Sequence, residues 1–361
     1  TVDEIDQRLW NGQGSKERLH STVRRLRNEL KSAPIELSIE YLGETYQLKI
    51  AHSIDDFERV ALKAIAARDY FLLVGPPGTG KTSRALKKMV EMFHSNPDNQ
   101  ILLLAYTNRA VDEICQTLSS IEPVLDYIRM GSELACDVRY REHLLENVLM
   151  ACETRQEVLQ RMSACRVYVG TVATLSSKSD LFKLKHFDVA IIDEATQILE
   201  PQLLPILCAK NPDGRNAVGK FVMIGDHKQL PAVVLQHEEQ TEVYDEELRR
   251  IGMLNLKDSL FERLYRLHLE RNDSRAFDML CYQGRMHPMV AEFSNRFFYG
   301  DKLKPVGLKH QKIPMESAVF FRPSVPETSN AFGKTNRMEA KIVAEWAVEI
   351  WKEYGDDFNA E

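Results

Sequence analysis

The chain has 361 residues, 44% of them hydrophobic, and 53 acidic side chains against 47 basic ones give a formal net charge of −6. That length exceeds one ordinary domain, and the apolar fraction is enough for real cores. The acidic balance excludes a uniformly basic coat, so nucleic acid would need a local groove; no apolar run is long enough to cross a bilayer, and no signal peptide opens the chain.

In chain order, Leu19, Val23, Leu26 and Leu30 share one face of a predicted helix, with Arg24, Arg25 and Lys31 off that stripe. Ile35–Tyr41 alternates as a strand, Leu42–Thr45 turns, and Tyr46–Ile50 returns. Helix and two-stranded wing, residues 1–50, resemble the C-terminal part of a response-regulator-type winged helix, which implies a helix entering the major groove. A capping helix and hairpin with a solvated basic face fits the same residues.

Tyr70–Val74 is a short apolar run that reads as a buried strand, and Ser83 onward reads as a helix. Between them stand Gly75, Pro76, Pro77, Gly78, Thr79, Gly80, Lys81 and Thr82, a complete phosphate-binding loop in its strand–turn–helix context. Glycines let backbone N–H groups close around phosphate oxygens, and the helix N-terminus adds its positive end. Lys81 can reach the β- and γ-phosphates, Thr82 can ligate Mg²⁺, and Ser83 joins the loop in the nucleotide-binding set.

Four further apolar strands follow: Ile101–Ala105, Val167–Gly170, Val189–Ile192 and Phe221–Ile224. Each ends in a polar cluster and helices intervene, so residues 54–270 are expected to form a parallel α/β sheet with its ligands at the strands' carboxyl ends. Residues 118–165 interrupt the rhythm as a helical, charge-rich insertion whose Arg129, Arg139 and Arg141 are candidates to meet phosphate, or form a solvated surface. Residues 271–361 read as a second, incomplete α/β unit, with helices over 286–299 and 336–354. The six cysteines form no C-x-x-C pair and read as reduced thiols. A chain that opens on Thr1 and stops at Glu361 reads as a fragment of a longer protein.

Asp193-Glu194 follows the third of those strands, where Asp193 can hold Mg²⁺ and Glu194 can orient and deprotonate water. After the fourth, Gln229 can both donate and accept, so it can report whether a γ-phosphate is present. Asp226 reads as loop support or as an acting group, and His227 as structural.

Gly75–Thr82, Ala105–Glu113, Gly170-Thr171, Asp193–Gln197, Gly225–Pro231 and Gln283–Pro288 occur in that order. Together they resemble the superfamily 1 class B helicases, AAA-type P-loop NTPases, in the branch of the nonsense-decay helicase and the Okazaki-flap nuclease-helicase. The resemblance runs from about residue 54 to residue 361. It implies a RecA-like P-loop NTPase domain, the start of a second RecA-like domain, ATP and Mg²⁺ as cofactors, and 5′-to-3′ movement on single-stranded nucleic acid. Thr107, Asn108 and Thr171 match positions that touch the strand backbone, and Thr107 and Asn108 also read as a helix cap. Arg285 matches the arginine that crosses from the second domain to the γ-phosphate. The resemblance implies further motifs in the second RecA-like domain that are not found among these 361 residues, so these residues alone are expected to bind nucleotide and hydrolyse it slowly.

The family's adenine-reading Gln aligns with Glu58, which when ionised cannot donate to N7, and its tyrosine beside the base aligns with Gly284. Weak base discrimination is the expectation. DNA is favoured over RNA as partner, on the strand before the phosphate loop, the Ile251–Arg263 stretch and the wing. The alternative from another class is a nucleotide-dependent DNA-binding switch that does not translocate. The expected location is cytoplasmic or nucleoid-associated.

Overall fold

The computed structural model describes residues 37–41, 46–50, 55–150, 152–271, 275–315, 317–318, 321–325 and 335–354. The chain divides into two compact units, Thr1–Arg285 and Met286–Glu361. At the start, β1 (Leu37–Tyr41) and β2 (Tyr46–Ile50) pair antiparallel, with Leu37 opposite Ile50 and Tyr41 opposite Tyr46, as the alternation predicts. The helix expected over 19–30 lies outside the described residues.

The centre of the first unit is a seven-stranded sheet, joined by α1 (Asp56–Ala66) and later helices. Its strands are β3 (Tyr70–Val74), β4 (Ile101–Ala105), β5 (Tyr127–Met130), β6 (Val167–Thr171), β7 (Val189–Ile192), β8 (Phe221–Gly225) and β9 (Phe277–Met279). They lie in the order β5-β6-β4-β7-β8-β3-β9, and every pairing is parallel. Successive side chains of one strand enter opposite cores: Phe71 and Leu73 one, Leu72 and Val74 the other. Both faces are covered, which is why these strands are continuous apolar runs without alternation.

This order brings the chemistry together. β7, β8 and β3 are neighbours, so the acidic pair, the Gly225–Gln229 loop and the phosphate loop leave adjacent strand ends. β4 and β6 are neighbours on the other side of β7, so Thr107 and Thr171 follow the adjoining ends.

Two expectations change. The insertion 118–165 is not wholly helical: Tyr127–Met130 is a buried edge strand paired with β6. A charge in its middle hid it. Arg129 is 1% exposed, and its guanidinium is answered by the Asp112 carboxylate and the Ala135 carbonyl, so it is not available to phosphate. Arg139 pairs with Asp137 at 2.9 Å and Arg141 with Glu133 at 2.7 Å. The second difference is at the boundary: residues 277–279, assigned by the sequence to a second unit, extend the first sheet beside β3, because Phe277 and Met279 pack on its core. The second unit contains the helices Pro288–Phe298 and Arg337–Tyr354. In it, buried Gln311 accepts from Gly307 and Leu308 and donates to the Met286 carbonyl.

Candidate functional site

The loop after β3 takes its shape from glycine. Gly78 and Gly80 adopt φ of 74° and 76°, the left-handed region that L side chains disfavour. Gly75 needs its missing side chain for a different reason: a Cβ there would lie 2.7 Å from Lys81 Cβ. Thr79, 2% exposed, donates its hydroxyl to the Pro76 carbonyl at 2.7 Å and closes the turn. The Gly75 N–H donates to the Gly225 carbonyl at 2.9 Å, tying the loop to the end of β8. Helical structure starts at Lys81 with a widened turn, in which the N–H groups of Arg84 and Ala85 both reach the Gly80 carbonyl. It continues as α2 (Lys87–His94).

The acidic pair locks onto this loop. Thr82 donates its hydroxyl to Asp193 Oδ2 at 2.6 Å, and the Glu194 N–H donates to Asp193 Oδ1 at 3.0 Å. Asp193 is buried, and burial raises its carboxyl to about 6; the Thr82 hydrogen bond opposes this, Glu194 adds to it, and Lys81 opposes it. Glu194 adopts φ of 51°, a conformation a non-glycine residue enters at a cost. Its carboxylate meets Lys81, with Nζ to Oε1 at 2.9 Å and the two side chains 14% and 25% exposed. A carboxylate and a hydroxyl side by side are hard oxygen donors of the kind Mg²⁺ takes.

Gln229 is tethered. Its amide Nε2 donates to Asp226 Oδ2 at 2.8 Å, and Asp226 Oδ1 accepts the Lys228 N–H at 3.0 Å. Asp226 is fully buried, so it holds the loop that presents Gln229. Gly225 lies against Thr196, where a Cβ would come within 2.9 Å of Thr196 Cγ2. His227 packs on Tyr265 with ring centroids 4.2 Å apart, and burial lowers its pKa.

Arg285 reaches the loop by a route the sequence did not suggest. The Gly284 N–H donates to the Gly78 carbonyl at 2.9 Å, and a Cβ on Gly78 would come within 2.3 Å of Arg285 Cβ. Arg285 therefore belongs to the first compact unit and lies on the crest of the phosphate loop. Lys81, Thr82, Asp193, Glu194 and Arg285 are thus brought together by direct contacts with the loop, and Gln229 by the β8 loop bonded to it.

The remaining candidates lie elsewhere. Thr107 caps α3 (Asn108–Ser119), accepting the Ala110 N–H at 3.1 Å, and is exposed with Asn108. Thr171, 6% exposed, caps the helix Val172–Ser177 through the Thr174 N–H at 3.1 Å. Ser83 is exposed in the first helical turn. Glu58 is half-buried on α1 and makes no hydrogen bond or ion pair among the described residues. Sequence reasoning missed Asp278, 12% exposed on β9, which pairs with Arg59 and with Lys63 at 2.9 Å. The spacing of Arg59 and Lys63 on one face of α1 was the available signal.

A cavity of about 330 Å³, lined among others by Gln100, Tyr168, Lys185 and Asp188, opens at the amino ends of β4 and β7, the opposite end of the sheet. Lys185 there spends its donors on the carbonyls of Met162, Ser163 and Cys165.

Family profiles cover most of the chain. An AAA domain family profile matches residues 53–168 and 153–237, and a second AAA domain profile matches residues 256–359. JHS1 of Arabidopsis thaliana, named a DNA replication ATP-dependent helicase/nuclease, is 33% identical over 250 residues, covering 69% of this chain and 16% of its own length. DNA2 of Gallus gallus, with the same description, is 31% identical over 250 residues, covering 68% of this chain and 22% of its own. The chain therefore spans about a fifth of the length of these relatives. Among solved structures, the complex of arterivirus nonstructural protein 10, a helicase, with DNA aligns at 14% identity and a TM-score of 0.40, covering 75% of this chain and 52% of that one; agreement at this level adds nothing to the fold assignment.

Proposed function

The chain belongs to the superfamily 1 helicases, and from that membership we propose that it is the nucleotide-hydrolysing core of an ATP-dependent translocase acting on single-stranded nucleic acid, DNA before RNA. One observation carries the reading. The phosphate loop and the acidic pair interlock through Thr82–Asp193 and Lys81–Glu194, which sets side by side the groups that hydrolysis of a γ-phosphate needs.

In this reading, the backbone N–H groups of Gly78, Gly80, Lys81 and Thr82 cradle the phosphates of ATP. Thr82 and Asp193 would hold Mg²⁺, which would offset phosphate charge. Lys81 exchanges Glu194 for phosphate oxygen as nucleotide enters. Glu194, released, accepts the proton of the attacking water, and Gln229, aimed by Asp226, orients that water. Arg285 meets charge developing on the transferred group. The reaction changes charge far more than shape, so positioned charges carry it. Thr107, Asn108 and Thr171 touch the strand's backbone from the ends of β4 and β6. Hydroxyl and amide contacts there release easily and read no sequence.

The names of the relatives support DNA, and the family resemblance supports 5′-to-3′ movement. The test is strand displacement on a 5′-tailed duplex by the full-length protein. Unwinding that disappears in Lys81→Ala and Glu194→Gln supports the motor. Nucleotide-dependent DNA binding and hydrolysis with no unwinding on tails of either polarity rejects it.

A further inference from the structure

We infer that Asp278 is a positioning residue for Arg285, acting through a strap of main chain laid over the phosphate loop. The inference rests on the reading of Arg285 given above. Asp278 and Arg285 are seven residues apart, and the chain between them is bonded to the β3–loop segment at three levels. β9 pairs with β3, Asp278 opposite Leu73 and Met279 opposite Val74. The Leu280 N–H then donates to the Val74 carbonyl at 2.9 Å, and the Gly284 N–H to the Gly78 carbonyl at 2.9 Å. Between them Leu280 and Gln283 are each 1% exposed, so the strap is packed down.

At the end of the strap that carries Arg285, the Gly284–Gly78 bond and the contact with Gly78 tie it to the loop. The other end is anchored by charge. Asp278 Oδ2 takes both Arg59 and Lys63 from α1, while its Oδ1 accepts the Met279 N–H at 2.8 Å. Arg59 is itself held by Asp56 at 3.1 Å. Asp278 thus joins β9 to a helix on one side while β3 holds it on the other. β9 is short and at the sheet edge, with Phe277, Asp278 and Met279 only partly buried. Pairing with β3 and this partial burial hold the strand, and the ion pairs with Arg59 and Lys63 tie it to α1 as well. Freed of them, the strand can slide or fray, and the displacement passes along the strap to the guanidinium.

The experiment compares nucleotide hydrolysis by the full-length protein, Asp278→Asn, Arg285→Ala and the double variant, with hydrogen exchange over residues 280–285. Misplacement of a positioned group by about an ångström costs on the order of 10²-fold in rate. Asp278→Asn is therefore expected to lower kcat about 10- to 100-fold with KM held within about twofold. Exchange over 280–285 rises, Asp278→Glu restores most of the rate, and the double variant is no slower than Arg285→Ala. Losses that multiply in the double variant, or unchanged exchange in Asp278→Asn, overturn the inference. If Arg285→Ala retains full turnover, the catalytic reading of Arg285 falls, and the exchange result alone decides whether Asp278 positions it. If Asp278→Asn does not fold, Arg59→Gln/Lys63→Gln removes the same anchor from the helix side and is judged by the same criteria.

Discussion

Replacing Asp193 with Asn is expected to stabilise the fold while removing a proposed Mg²⁺ ligand. Burial raises the Asp193 carboxyl from 3.8 to about 6. The folded protein therefore binds this proton more tightly than the unfolded chain does, and stability falls as pH rises through the interval between the two values. Above that interval the full penalty applies: about two pKa units, or roughly 3 kcal/mol, of ionisation cost in the fold at pH 7.5. Asn carries no such cost. It does give up one contact, since Asp193 accepts Thr82 on one oxygen and the Glu194 N–H on the other, and an amide has a single acceptor oxygen. That loss is worth about 1 kcal/mol. In chelated buffer, urea unfolding should therefore find Asp193→Asn more stable by about 2 kcal/mol at pH 7.5. At pH 4.5 the wild-type carboxyl is protonated in the fold, its penalty has shrunk to about 1 kcal/mol, and the two proteins should unfold at nearly the same urea concentration. Adding Mg²⁺ with nucleotide should raise the wild-type melting temperature and leave that of the variant nearly unmoved. An Asn variant that is less stable at pH 7.5, or an advantage that persists unchanged at pH 4.5, would refute the assignment of burial as the dominant influence on this group.

Glu194→Gln removes the counter-charge from Lys81, so nucleotide affinity measured by fluorescence titration should hold or tighten while hydrolysis falls at least about 100-fold, in the range expected of a lost general base; weakened binding would contradict the partner exchange. Gly78→Ala meets two obstacles, a left-handed φ and Arg285 Cβ at 2.3 Å, and should cost about 1–2 kcal/mol from the backbone alone in urea unfolding, with turnover falling further than nucleotide affinity. Rates of ATP, GTP and CTP hydrolysis by the full-length protein should lie within about tenfold of one another, less than the discrimination a well-read base hydrogen bond supplies; a strong ATP preference would show that another side chain reads the base. Arg129→Met should destabilise the first unit, because it strips Asp112 of a partner that is itself 1% exposed; breaking such a pair typically costs about 3–5 kcal/mol, and a loss below about 1 kcal/mol would mean that the pair is not structural.

The parts of this fold that were legible in the sequence are those where one physical requirement dominates. Five apolar runs read as strands because both faces of a parallel sheet must be covered, and each of them is a strand. The phosphate loop was legible because glycine at positions 78 and 80 answers a left-handed backbone that other residues resist. What was not legible depends on distant partners. Tyr127–Met130 carries a charge that makes sense only once Asp112 and the Ala135 carbonyl are beside it. Phe277–Met279 is three residues long and becomes a strand through its pairing with β3, two hundred residues earlier in the chain. The route of Arg285 to the loop runs through the backbone of Gly284 and Gly78, and a backbone hydrogen bond leaves almost no trace in side-chain pattern.

In the reaction proposed above, with Glu194 as base, the resting contacts of the site also set an order of events. Lys81 and Glu194 neutralise one another, so neither is fully available while they are paired. A triphosphate draws Lys81 away because it offers several anionic oxygens in place of one carboxylate, together with the N–H groups of the loop. That withdrawal frees the Glu194 carboxylate when, and only when, phosphate has arrived. Glu194 occupies a left-handed conformation that costs about 1 kcal/mol or more, and its backbone N–H is held by Asp193, so the freed carboxylate remains close to where Lys81 left it. The base is thus unmasked beside the phosphate by the act of binding. This coupling needs no movement larger than one side-chain exchange, and it follows from the placement of two adjacent acids after β7, one buried beside Thr82 and the other turned toward Lys81.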